Sequence, residues 1–171
     1  MKTSFSAIAT IDAKILILGS MPGEESLKQQ RYYAHPRNAF WYIMSHILGF
    51  DNNITYPEKI NRLKASNIAL WDVLKRCHRS GSLDSSIQSH SIETNNFKDF
   101  YHNHSFIQHV FFNGAKAEQE YKKRVLPTLQ NANLSIKYHK FTSTSPAMAA
   151  RTKEEKLTEW RHAIDEAMQS I

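Results

Sequence analysis

Apolar residues along the chain gather into short dense runs, separated by longer stretches in which they recur every third or fourth position. Four runs read as strands, because each is compact, rich in β-forming residues and bounded by Gly, Asn, Ser or Thr: Lys14 to Gly19, Asn67 to Val73, His109 to Phe112 and Ile136 to Phe141. Helical spacing fills the intervals over Asn38 to Leu48, Pro57 to Ala65, Ile92 to His102, Ala115 to Leu126 and Lys153 to Met168. The last helix has the clearest stripe, with Leu157, Trp160, Ile164 and Ala167/Met168 at i+3 and i+4 spacing and a Thr152/Glu155 capping-box pattern before it. Strand followed by helix, repeated, predicts an α/β fold in which a parallel sheet carries helices on both faces, with residues 1–171 as a single domain.

In such a sheet ligands bind outside the carboxyl ends of the strands. The first predicted strand runs into Gly19-Ser20-Met21-Pro22-Gly23, the second into Trp71-Asp72, the third into Asn113-Gly114 and the fourth into Thr142-Ser143-Thr144-Ser145-Pro146. All four are thereby placed on one rim. Each also fits a purely structural role, since Gly and Pro end strands, Asn113 can cap the next helix and Ser145-Pro146 fits an N-cap with Pro behind it. The segment Tyr32 to Trp41, with four aromatics leading into a helix, is harder to explain as a connector.

Composition narrows the function classes. With 171 residues and 41% hydrophobic content the chain can bury a core, and five Gly and five Pro argue against disorder or a fibrous repeat. The solitary Cys77 cannot supply a disulfide, a thiolate zinc site or an iron–sulfur cluster. Nine His include no His-Glu-x-x-His arrangement, so neither metal nor cofactor is expected. No export signal or membrane span is read near Met1, where Ile15-Leu16-Ile17-Leu18 is far too short, so the expected location is intracellular and cytoplasmic. A net charge of +6 points to a polyanionic partner, with Lys75-Arg76-Arg79 and Lys122-Lys123-Arg124 as candidate phosphate-facing clusters.

Read together, Gly19-Ser20-Met21-Pro22-Gly23, the segment Tyr32-Tyr33-Ala34-His35-Pro36-Arg37-Asn38-Ala39-Phe40-Trp41, Asn113-Gly114 and Ser143-Thr144-Ser145-Pro146 resemble the uracil-DNA glycosylase superfamily. The branch most similar is the hypoxanthine-DNA glycosylase branch, whose first motif has Ser-Met where other branches carry a catalytic Asn or Asp. The resemblance implies a three-layer α/β/α sandwich around a four-stranded parallel sheet. It also implies a monofunctional enzyme that flips out a deaminated base, hypoxanthine first and uracil or xanthine next, and hydrolyses its glycosidic bond. The implied partner is damaged DNA, met by a monomer.

The resemblance also assigns roles. Phe40 matches the aromatic that stacks on the flipped base, whereas Trp41 fits core packing. Base-edge contacts are expected from the Gly19, Ser20, Met21 and Pro22 loop, from Trp71 and Asp72, and from Asn113, with His35 at the entrance. Met21 stands where other branches position water, and a thioether cannot do so. The catalytic role therefore falls to Asn38, with Ser143 at the position where many relatives place a base-stabilising His. An uncharged amide cannot take a proton from water, which predicts a slow enzyme. Ser143, Thr144, Ser145 and Pro146 are expected against the DNA backbone, Ala147 and Met148 as a wedge between bases, and Arg151 on a phosphate. A catalytically dead DNA-binding module of the same fold and a nucleoside-processing enzyme remain as alternatives.

Overall fold

The computed structural model describes residues 1–171. Its first half contains β1 (Lys2–Thr3), β2 (Ile15–Gly19), α1 (Glu24–Gln29), α2 (Phe40–Leu48), α3 (Tyr56–Ala65), β3 (Ile68–Asp72) and β4 (Leu74–Cys77). The second half contains β5 (Glu93–Thr94), α4 (Phe97–Asn103), β6 (His109–Asn113), α5 (Ala115–Glu120), β7 (Lys137–Phe141) and α6 (Lys153–Gln169). The four strands read from the sequence are β2, β3, β6 and β7, and they form an all-parallel sheet in the order β3-β2-β6-β7.

Alternate side chains of a strand leave on opposite faces, and that alternation builds two cores. Leu16, Leu18, Trp71 and Phe112 pack with Phe97, Tyr101 and Tyr121 on one face. Ile15, Ile17, Leu70 and Phe111 pack with Phe40, Met44 and Trp160 on the other. The result is the expected α/β/α sandwich. Trp160 also donates from Nε1 to the Thr142 carbonyl at 3.2 Å, so α6 holds the chain where it leaves β7 for the Ser143 loop.

Local chemistry fixes the helix ends. Both α3 and α6 start with complete capping boxes, Thr55 with Glu58 and Thr152 with Glu155, the second as the sequence predicted. Two expected helices differ. Ile92 to His102 is divided: Glu93–Thr94 pairs with β4, the Asn95 side chain donates to the Asp72 carbonyl at 2.7 Å, and Asn96 caps a shorter helix from Phe97. The stretch from Ala115 to Leu126 begins as an α-helix and then widens to a π-turn over Tyr121–Val125. A second sheet, β1-β4-β5, had no periodic signal, because its strands are two to four residues long and pair across the chain.

Both basic clusters expected to face phosphate are partly used elsewhere. Lys75 and Arg76 pair with Glu93, while Lys122 pairs with Glu118 and Arg124 with Glu120. Arg79 is buried, and its guanidinium donates to the carbonyls of Met21, Pro22 and Gly81.

Candidate active site

The carboxyl ends of the four parallel strands surround a cavity of about 270 Å³, near the lower end of the range for small-molecule sites. The Gly19 to Pro22 loop forms one wall and is held from several sides. Val73 and Leu74 N–H groups donate to the Gly19 and Ser20 carbonyls at 2.9 and 3.0 Å, Arg79 holds Met21 and Pro22, and Ser20 Oγ donates to Asp84 Oδ1 at 2.6 Å. Met21 belongs partly to the core, as its thioether suggests.

The cavity floor carries two buried polar groups without a protein partner, the Asp72 carboxylate oxygen Oδ2 and the Tyr33 hydroxyl. Asp72 is only 3% exposed. Burial pushes its carboxyl up to about 7, with Arg79 opposing and Asp84 reinforcing the rise. The Tyr33 hydroxyl is held protonated by burial first and by the charge of Asp72 second. A buried polar group left unpaired costs roughly 1–3 kcal/mol, so two together mark a place shaped for something other than stability.

Tyr33 sits at φ +54°, a left-handed conformation that is strained for a bulky residue. Its neighbours fix the strain in place. Ala34 N–H donates to Ser26 Oγ at 3.1 Å, Tyr32 N–H to Tyr56 Oη at 3.1 Å, and Trp41 Nε1 to the Tyr32 carbonyl at 2.9 Å. The Tyr33 ring then stacks on Phe40 at 4.1 Å between centroids.

Phe40 was expected to stack on the base, but it is fully buried behind Tyr33, and the aromatic side chains at the cavity are those of Tyr32 and Tyr33. The cause is helical geometry, which turns the first residue of α2 inward against Trp160. Trp71 is likewise displaced from its expected role. It follows Leu70 on β3 and points to the face opposite, where it packs between Phe97 and Phe100 and donates to the Phe5 carbonyl.

Asn38 lies at the cavity just before α2. Its Oδ1 accepts from Phe40 N–H at 2.9 Å, and its Nδ2 makes no hydrogen bond within the protein. The Asx turn into α2, whose N-cap residue is Ala39, and the cavity thus use opposite ends of one amide, and the turn fixes which end is left for the cavity. His35 lies beside it, its Nδ1 accepting from Arg37 N–H at 3.1 Å.

On the far wall Asn113 and Thr144 clamp each other. Asn113 Nδ2 donates to Thr144 Oγ1 and Thr144 N–H donates to Asn113 Oδ1, both at 2.9 Å. Asn113 lines the cavity while holding Thr144, and Thr144, 1% exposed, is withdrawn from the phosphate-facing role expected of it. Ser143 Oγ accepts from Ser145 N–H and Ser145 Oγ from Ala147 N–H, leaving the Ser143 hydroxyl proton for the cavity. Buried Lys156 closes the loop by donating to the Ser145 and Met148 carbonyls at 3.3 and 2.7 Å. Pro146 and Ala147 continue the wall, and Met148 stands 41% exposed at the mouth. Arg151 lies outside the cavity with a loose ion pair to Glu159 at 3.4 Å.

The comparisons with known proteins agree with this geometry. A profile of the uracil DNA glycosylase superfamily matches residues 5–169. The chain belongs to the uracil DNA glycosylase superfamily. A Methanosarcina acetivorans protein named hypoxanthine DNA glycosylase is 37% identical over 142 residues, covering 78% of this chain and 89% of the relative. One of the same name from Methanosarcina barkeri is 37% identical over 118 residues, covering 68% and 73%. The solution NMR structure of a Methanosarcina acetivorans protein, described as a candidate uracil DNA glycosylase, superposes with a TM-score of 0.75 at 33% identity, covering 94% of this chain and 97% of that one. This member of the superfamily is a DNA glycosylase and stands on the hypoxanthine DNA glycosylase branch.

Within a DNA glycosylase, the loop Ser82-Leu83-Asp84 takes on a meaning the sequence did not suggest. Leu83 is 54% exposed and lines the same cavity as Met148. It is reachable only through the folded chain, because the loop is placed by Ser20 on Asp84 and by Glu24 N–H on Ser82 Oγ. An exposed leucine between Ser and Asp is its one sequence signal.

Proposed function

We propose that the protein excises hypoxanthine from DNA in base excision repair, by hydrolysing the bond between C1′ and the purine N9. The observation that carries the reading is the cavity floor. Hypoxanthine presents an N1–H donor beside an O6 acceptor, and the floor offers the reverse order, with the Asp72 carboxylate to accept and the Tyr33 hydroxyl to donate. Adenine presents the opposite pattern, an N1 acceptor beside an amino donor, and its N1 would face an unpaired carboxylate. Uracil and xanthine share the donor-beside-carbonyl edge and are secondary candidates.

The remaining tasks fall to groups at the cavity. As the C1′–N9 bond breaks, its electron pair leaves on the purine, and Asn38 Nδ2 and the Ser143 hydroxyl are placed to donate hydrogen bonds to that base. Water's oxygen bonds to C1′ and its surplus proton passes to solvent. With no strong base assigned, the reaction is slow. Met148 and Leu83 supply apolar side chains that enter the base stack and replace the flipped nucleotide, a step that costs a few kcal/mol. Each task lies on a side chain of one chain, so the reading is of a monomer working on damaged DNA.

The test is a set of end-labelled duplexes carrying deoxyinosine, deoxyxanthosine or deoxyuridine, incubated with the protein and then cleaved in alkali at abasic sites. Strand breaks fastest at deoxyinosine support the reading. Binding without breaks at any lesion would reassign the protein as a DNA-binding module.

A further inference from the structure

We propose that a second groove, which shares Tyr32, Tyr33, His35 and Asn38 with the cavity, holds the phosphates of the DNA strand flanking the flipped nucleotide, with Arg31, Arg37, Lys59 and Lys153 as its cations. The inference rests on DNA being the substrate and adds where the rest of the strand lies.

Charge is the first argument. The groove measures about 670 Å³, and no Asp or Glu lines it. None of its Lys and Arg side chains takes part in an ion pair, in contrast to Lys75, Arg76, Lys122 and Arg124. The nearest carboxylate on α3, Glu58, is spent on its own capping box with Thr55. Free cations in a depression without counter-charge concentrate potential for a polyanion.

Preorganisation is the second. Arg31 lies over the Tyr56 ring at 5.4 Å, Lys59 over Trp41 at 5.7 Å and Lys153 over Tyr42 at 4.6 Å. A cation resting on an aromatic face keeps its charge and its hydrogen-bond donors while losing side-chain freedom before binding. Burial also pulls the Lys59 ammonium down from its ordinary value with no carboxylate to oppose it, which an arriving phosphate would reverse.

Continuity is the third argument, and it selects the occupant. Tyr32, Tyr33, His35 and Asn38 line both the cavity and the groove. A strand that sends one nucleotide into the cavity must carry its neighbouring phosphates over this segment. A free nucleotide would have no need of two depressions joined in this way.

The test is fluorescence anisotropy with a duplex carrying a non-hydrolysable deoxyinosine analogue, titrated from 50 to 200 mM salt. Wild type is compared with Arg37→Gln/Lys153→Gln, with Arg31→Gln/Lys59→Gln, and with Lys98→Gln, an exposed lysine on α4 outside both depressions. Each double variant is expected to lower the slope of log K against log salt by about 1.8, so that affinity falls about tenfold less across that range. Lys98→Gln keeps the wild-type slope. Both pairs remove one lysine from an aromatic ring, Lys153 from Tyr42 and Lys59 from Trp41, so thermal melting of each double variant separates a softened fold from a lost charge.

Slopes equal to wild type in both double variants, with thermal melting unchanged, would overturn the proposal. So would inorganic pyrophosphate that binds wild type but not the double variants and leaves the duplex bound at equal ionic strength, which would assign the groove to a small anion. A reduced slope in a protein that releases no base from any duplex would keep the groove and reject the excision reading, so the two fail separately.

Discussion

Asp72 and Gly19 face each other across the β2–β3 ladder, and a methyl group on Gly19 would lie 2.5 Å from Asp72 Oδ1. The same methyl would lie 3.1 Å from the Tyr33 hydroxyl. The missing side chain thus leaves the space in which both groups of the cavity floor converge.

Gly19→Ala is therefore expected to push the Asp72 carboxylate aside and to cost about 1–3 kcal/mol of stability through overpacking. Denaturant titration measures the cost and single-turnover release of hypoxanthine the displacement. A variant with wild-type stability and wild-type rate would show that the carboxylate is not confined by this contact.

Asp72→Asn should separate stability from selectivity. The folded protein holds this carboxyl at about 7, above its ordinary value of 3.8, so folding favours the protonated form. Wild type then loses stability as pH rises from about 4 to about 7, while the variant does not. Above pH 7 the variant is expected to be the more stable, by up to about 4 kcal/mol. An amide can match either the hypoxanthine or the adenine edge, so discrimination between the two bases should fall at least tenfold. In wild type the same discrimination should rise as pH passes about 7 and the carboxyl ionises. Melting curves and competitive excision across pH 5 to 9 check both, and a flat selectivity profile in wild type would contradict the edge-reading role.

Asn38→Asp keeps an oxygen for Phe40 N–H but replaces the free Nδ2 donor with an acceptor. Folding should be unaffected, since an Asp carboxylate oxygen closes the same turn with Phe40 N–H. Single-turnover excision should fall about 10²- to 10³-fold, as when one transition-state hydrogen-bond donor is removed. Unchanged excision in a stably folded variant would restrict Asn38 to the helix start.

Tyr33→Phe leaves the stack on Phe40 and removes a buried hydroxyl that has no partner. The expected pattern is slightly higher thermal stability together with a tenfold to hundredfold weaker hold on a hypoxanthine-containing duplex. Weaker binding that came with lower stability would point to a packing defect in place of a lost donor.

The sandwich was legible because its four strands are dense apolar runs and their carboxyl ends must share a rim. Gly19, Asn38, Asp72 and the Ser143 segment consequently came together as read. What stayed hidden depends on distance along the chain or on backbone angle. Tyr33 replaces Phe40 at the cavity because of a left-handed φ that no residue pattern announces. Trp71 and Asp72 are neighbours in sequence, yet Trp71 is committed to the α4 side. Arg79 looked like a surface cation, and only the folded β4 region carries it beneath the Met21 and Pro22 carbonyls. Leu83 has no periodic context at all.

The clamp between Asn113 and Thr144, with Lys156 beneath Ser145 and Met148, has a mechanical consequence. Met148 is mounted on a loop bolted to the strand end on one side and to α6 on the other. When two stiff bodies are pressed together, the softer one bends. On the proposed reading, a duplex pushed onto this tip would meet a support that transmits load into the sheet, and the distortion would be taken up by the base stack while the enzyme kept its shape.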